Sequence, residues 1–82
     1  MLDVKHEGNK AIIDVRAKIL AGEHPRGEIL DYVQTAQEGT IFEIHLPKRA
    51  EPLVNALNSL GMNATIDEVE LGHFRILAVK LK

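Results

Sequence analysis

The chain has 82 residues, enough for one small domain and one thin core of two packed layers. Its residues are 45% hydrophobic and 27% charged, too apolar for a disordered chain. The net charge of -2 argues against a general nucleic-acid or anionic-membrane binder, which carries a basic excess. There is no cysteine, so disulfides, thiolate nucleophiles, iron–sulfur clusters and cysteine zinc sites are excluded. No apolar run approaches the ~18–20 residues of a membrane span, and the N-terminus lacks the pattern of a signal peptide. The expected location is therefore the cytoplasm.

In chain order, Leu2-Asp3-Val4-Lys5 echoes Ile13-Asp14-Val15-Arg16 across His6-Glu7-Gly8-Asn9. Two readings stand side by side there: a frayed N-terminus, or a hairpin turning at Gly-Asn. Ala11 to Arg16 reads as a strand, rich in β-branched residues. Ala17 to His24 reads as a loop. Pro25 suits the first position of a helix carrying Ile29, Leu30, Val33 and Ala36 at helical spacing, with Gly39 as its left-handed stop. Ile41 to Leu46 alternates, with Phe42, Ile44 and Leu46 on one face and Glu43 and His45 on the other. Pro52 opens a second helix with Leu53, Leu57 and Leu60 on one stripe and Gly61 as its stop. Met62 to Val69 reads as a strand, Gly72 lies in a turn, and His73 to Leu81 is apolar on both faces, as a central strand is.

The expected fold is therefore an α+β, two-layer β-α-β-α-β-β sandwich. Its four-stranded mixed sheet has the order 1-2-4-3, with two helices on one face and the other face open. The expected core is Ile13, Val15, Ile29, Leu30, Val33, Phe42, Ile44, Leu46, Leu53, Leu57, Leu60, Ile66, Phe74 and Ile76.

With the strand ending Asp14-Val15-Arg16, the His24-Pro25 helix start, Glu38-Gly39 before the next strand and Glu51-Pro52-Leu53 opening the second helix, the chain resembles the TusA/SirA-like family. The resemblance covers residues 11–82. It implies the two-layer sandwich also seen in the C-terminal domain of bacterial translation initiation factor three. The family hallmark is Cys-Pro-x-Pro at the start of the first helix, where the cysteine carries a persulfide. Here His24-Pro25-Arg26-Gly27 stands in its place, and without a thiol there is no persulfide. The chain looks like the cysteine-less, uncharacterised branch of TusA-like domains. That branch has no agreed activity, so the resemblance implies the fold and, with no thiol, no sulfur-carrier role; taken with the residues weighed next, the expected function is a non-catalytic accessory domain that binds a partner protein or a small anion.

Four histidines are the residues most suited to chemistry. In the expected topology His24, His45 and His73 share the carboxyl edge of the parallel strands, where open α/β sheets place ligands. Three imidazoles there would suit zinc or copper. A second candidate is an anion site formed by Arg16, His24, Pro25, Arg26, Gly27 and Lys48 around the first helix N-terminus, whose free N–H groups favour negative charge. Glu43 and His45 share a strand face, which lets a carboxylate orient an imidazole, but no motif places a nucleophile beside them. The ordinary alternative is a polar ladder of Arg16, Glu43, Arg75 and Asp67 on the open face. Leu77, Val79 and Leu81 on that face suggest docking to a protein partner or self-association. No organic cofactor is expected. RNA binding, by analogy with the initiation-factor domain, has little support from one Tyr and two Phe.

Overall fold

The computed structural model describes residues 2–81. Five strands and three helices follow one another in the described residues: β1 (Val4–Glu7), β2 (Lys10–Asp14), α1 (Arg16–Leu20), α2 (Arg26–Thr35), β3 (Ile41–Leu46), α3 (Glu51–Ser59), β4 (Met62–Glu70) and β5 (His73–Lys80). The sheet is mixed and five-stranded, with the order β1-β2-β3-β5-β4. β2 and β3 are parallel, whereas β1 runs against β2 and β5 runs against both β3 and β4.

This corrects the expected four-stranded 1-2-4-3 sheet. The fifth strand is β1, which pairs Val4 with Ile13 and Glu7 with Lys10. Gly8 and Asn9 are the two turn residues, and only Gly8 has a positive φ, 61°. A positive φ at the first turn position alone is the type II′ arrangement, whose twist matches the flanking strands. Asn9 then ties the hairpin to the next strand. Its carbonyl accepts from the Ile41 N–H at 2.9 Å, and its side-chain amide donates to the Gly39 carbonyl at 3.1 Å.

The segment expected to be a loop contains α1. Asp14 ends β2 because its carboxylate accepts the backbone N–H of Arg16, two residues on, at 3.1 Å. That local bond turns the chain out of the ladder. Val15 therefore lies past the strand end, yet it stays buried and donates its N–H to the His45 carbonyl at 3.1 Å.

The core lies on one face of the sheet. Ala11 and Ile13, Phe42, Ile44 and Leu46, Ile76 and Ala78, and Met62 and Ala64 meet Ile29 and Val33 of α2 and Leu53, Val54 and Leu57 of α3. Both of these helices thus cover the same face. Each fully buried Ile, Leu, Val or Phe contributes about 1.5–3 kcal/mol. Leu60 is exposed, and Leu30, Ile66 and Phe74 are only partly buried. Ala11, Val54, Met62, Ala64 and Ala78 complete the core instead. Ala11, Ala64 and Ala78 are small and Met62 opens β4, so hydrophobic spacing carries little signal there, whereas Val54 widens the buried stripe of α3 beside Leu53 and Leu57.

The two helix ends differ. Gly61 follows the Leu60 cap of α3 with φ 86°, as a glycine stop requires. Gly39 does not end α2, which stops at Thr35 with Ala36 already extended. The C-terminal carbonyls of α2 are taken up by Lys80 of β5. Its ammonium donates to Val33, Gln34 and Ala36 at 2.9, 2.9 and 2.6 Å. A cation at that end also opposes the helix dipole.

Lys80→Ala would leave those carbonyls without their donor and is expected to destabilise the domain by about 1–3 kcal/mol in urea denaturation. Leu57→Ala, which empties a site at 0% exposure, is expected to cost about 2–5 kcal/mol in the same assay.

Candidate functional site

Two polar groupings arise on opposite sides of the sheet. On the helical side, the approach to α2 forms a groove of about 250 Å³. Its floor is apolar, from Ile19, Ile29, Leu46 and Leu53, and His24, Pro25, Arg26 and Lys48 stand at its walls. Pro25 is the N-cap of α2, so the groove faces the positive end of that helix. The Pro25 carbonyl accepts the Ile29 N–H at 2.9 Å and begins the helical ladder. Glu23 is the one carboxylate on the groove wall, and it lies 3.9 Å from Lys18. Among the described residues, neither Arg26 nor Lys48 has an ion-pair partner.

Four of the six residues expected around an anion therefore share one groove. Arg16 does not join them. Its guanidinium forks onto the Asp14 carboxylate at 3.0 and 2.7 Å, beside a separate open hollow lined by Asp3, Lys5 and Ile12. The Arg16 hydrogen bonds hold the Asp14 carboxyl below its usual range. Gly27 lies in the first turn of α2, outside the groove lining.

The open face carries the second grouping. β3 pairs with β5 so that Glu43 opposes Leu77 and His45 opposes Arg75. Residue 73 is then a diagonal neighbour of His45, within reach of a long side chain. The His45 Nδ1 and His73 Nε2 atoms lie 2.8 Å apart, and His45 Nε2 lies 2.8 Å from the Glu43 carboxylate. Glu43 also lies 3.6 Å from the Lys10 ammonium. The side chains of Glu43 and His45 are only 17% and 16% exposed.

With Glu43 ionised and both imidazoles neutral, hydrogen-bond chemistry gives this chain one direction. An ionised Glu43 only accepts, so His45 donates from Nε2. A neutral His45 then offers the lone pair of Nδ1, and His73 donates to it from Nε2. The result is a Lys10–Glu43–His45–His73 line across three strands. Hydrogen bonding to His45 is the main reason the Glu43 carboxyl is held below its usual range, with Lys10 and Arg75 adding charge.

The expected ladder is revised in one place: Arg75 pairs with Asp67 at 3.1 Å, but Arg16 belongs to α1 and to Asp14. The expected three-histidine grouping separates into two. His45 and His73 meet on the open face, whereas His24 lines the groove on the helical side. Among the described residues, no group of three or more His, Cys, Asp or Glu side chains is arranged to hold a metal ion. The fourth histidine, His6, has its Nε2 3.4 Å from the Tyr32 hydroxyl. Sequence reasoning put Glu43 and His45 on one face but missed the contact with His73. The signal for it is the β3–β5 register, which spacing within one strand does not contain.

No protein-family model matches the chain, and no curated protein matches it.

The lowered Glu43 value sets a sign. Its contribution is complete above the ordinary glutamate range and is lost as pH falls through the folded-state value. Glu43→Gln should therefore lower stability by about 1–2 kcal/mol near neutrality. The gap from wild type should close in acid, read as unfolding midpoints across pH.

Proposed function

We propose that this is a non-enzymatic binding domain whose groove at the start of α2 takes a small organic anion with an apolar body. The carrying observation is the pairing of an apolar floor with Arg26 and Lys48, two cations without ion-pair partners among the described residues. An anion there meets the helix N-terminus and two cationic side chains, while its hydrocarbon part covers Ile29, Leu46 and Leu53. His24, in the position that the TusA/SirA-like resemblance assigns to the sulfur-carrying cysteine, adds a hydrogen-bonding group without nucleophilic sulfur chemistry. The reading is thus of a TusA-like accessory module with a ligand-binding role.

Amide NMR titration at low salt tests this, with inorganic phosphate and hexanoate as probes. Hexanoate should shift His24, Arg26, Ile29, Lys48 and Leu53 more than phosphate does. The Arg26→Ala/Lys48→Ala double variant should bind on the order of tenfold more weakly, a loss of ~1.4 kcal/mol. Shifts elsewhere, or unchanged affinity in the folded double variant, would reject the groove.

A second reading concerns the open face. Ile12, Ile41, Leu77 and Val79 are partly exposed there, and β1 extends the sheet edge and does not fold across them. A protein partner or a second copy would cover this patch. Sedimentation equilibrium should then show self-association that Leu77→Asp removes. A monomer at every concentration would reject self-association through this face.

A further inference from the structure

The Glu43–His45–His73 grouping is not used by the groove, and its geometry supports a separate site. Two imidazole nitrogens face each other at 2.8 Å with their ring centroids 5.0 Å apart. A metal ion about 2.05 Å from each nitrogen would set the centroids about 4.5 Å apart at a right angle and about 5.2 Å apart at the tetrahedral angle. The ring spacing falls between those limits, whereas the nitrogens at 2.8 Å are closer than the ~2.9–3.3 Å that a shared ion sets. The rings would need to pivot about their centres, without moving apart, to direct both lone pairs at one ion.

The far side of His45 supplies the second argument. Its Nε2 lies 2.8 Å from Glu43, a contact that favours the Nε2–H tautomer, in which Nδ1 keeps the lone pair a metal needs. A carboxylate behind an imidazole is the usual outer support of a histidine metal ligand, because it orients the ring and raises its basicity. Lys10 lies 3.6 Å from the Glu43 carboxylate, and Arg75, opposite His45 in the register, is engaged by Asp67 at 3.1 Å.

We propose that His45 Nδ1 and His73 Nε2 bind a divalent transition-metal ion of borderline softness, copper or zinc, in place of the proton they share. His73 moves that proton from Nε2 to Nδ1, so both rings remain neutral and no net proton is released. The metal forms one bond to each nitrogen, and His45 keeps its Nε2 proton on Glu43. Two protein ligands leave the remaining positions to water or to a further donor. His24 takes no part, because it lies in the groove on the helical side.

Titration of the full chain with Cu(II), followed by electron paramagnetic resonance, tests the proposal. Wild type should bind one equivalent saturably and show coupling to two imidazole nitrogens. His45→Ala and His73→Ala should each lose that signal. Glu43→Gln should weaken binding by about 10–100-fold, and His24→Ala and His6→Ala should bind as wild type does. Circular dichroism of each metal-free variant checks its fold. Imidazole nitrogen NMR of wild type with Zn(II) gives a test free of any variant: His45 Nδ1 and His73 Nε2 should move to metal-bound positions. Absence of saturable binding below millimolar metal overturns the proposal. So does binding that survives in folded His45→Ala and His73→Ala, or binding that is lost with His6 or His24.

Discussion

The alternation of side chains along β3 is the constraint on which the rest of this molecule depends. Phe42, Ile44 and Leu46 enter the core, and Ile41, Glu43 and His45 are turned to the other face. β3 sits between β2 and β5, so its register sets theirs. A slip of one residue would bury a carboxylate and an imidazole and expose Phe42 and Ile44. The hydrophobic effect therefore enforces a register that also assembles a polar line. His45 lies diagonally from His73 because Ile44 must oppose Ile76. The chemistry of the open face follows from the packing on the hidden face.

A second constraint acts on the helical layer. α2 carries only Ile29 and Val33 as fully buried contacts, fewer than the three buried residues of α3. Lys80 compensates by drawing the last turn of α2 onto β5 through three carbonyls. With its C-terminal end tied to β5 and Ile29 buried near its start, α2 is docked along its length. The groove beside its N-terminus is therefore bounded by anchored elements: α2 on one side and the Lys48–Leu53 approach to α3 on the other. A site between such walls is preorganised, and binding there orders little of the chain.

Much of this was legible in the residues, and the limits have physical causes. Periodicity located α2, β3, α3 and β4 because each buries one side, and burial writes a period into a sequence; β5 was legible instead as a run apolar on both faces. It was weak for β1, where Lys5, His6 and Glu7 are all exposed and the strand gains its place from pairing with β2. It was silent for α1, which has no fully buried residue and begins from a side-chain turn at Asp14. Gly39 was misread as a helix stop because a glycine stop and a lysine cap leave the same gap in a hydrophobic pattern. Its positive φ of 83° serves the turn into β3, where its N–H donates to the Lys80 carbonyl at 2.8 Å. Of the site residues, those near α2 were legible because Pro25 and the chain order bring them together. Arg16 was not, since a local carboxylate two residues away outcompetes a distant groove for a guanidinium.

The same logic explains why the histidines divide as they do. A shared sheet edge is a weak condition, since it fixes position along the strands but not side. Residues with inward neighbours, such as His24 beside Ile29 and Leu46, belong to the helical layer. Those at odd positions of β3 and β5, such as His45 and His73, belong to the open layer. The sheet itself stands between those two sides, a separation that metal–nitrogen bonds of about 2.0–2.1 Å do not bridge. Three imidazoles split across those layers cannot converge on one ion without unpacking the core between them, whereas two on one face already meet. The layer to which a side chain belongs, more than its nearness along an edge, therefore decides which groups can act together. It makes the α2 groove and the Glu43–His45–His73 line separable by mutation.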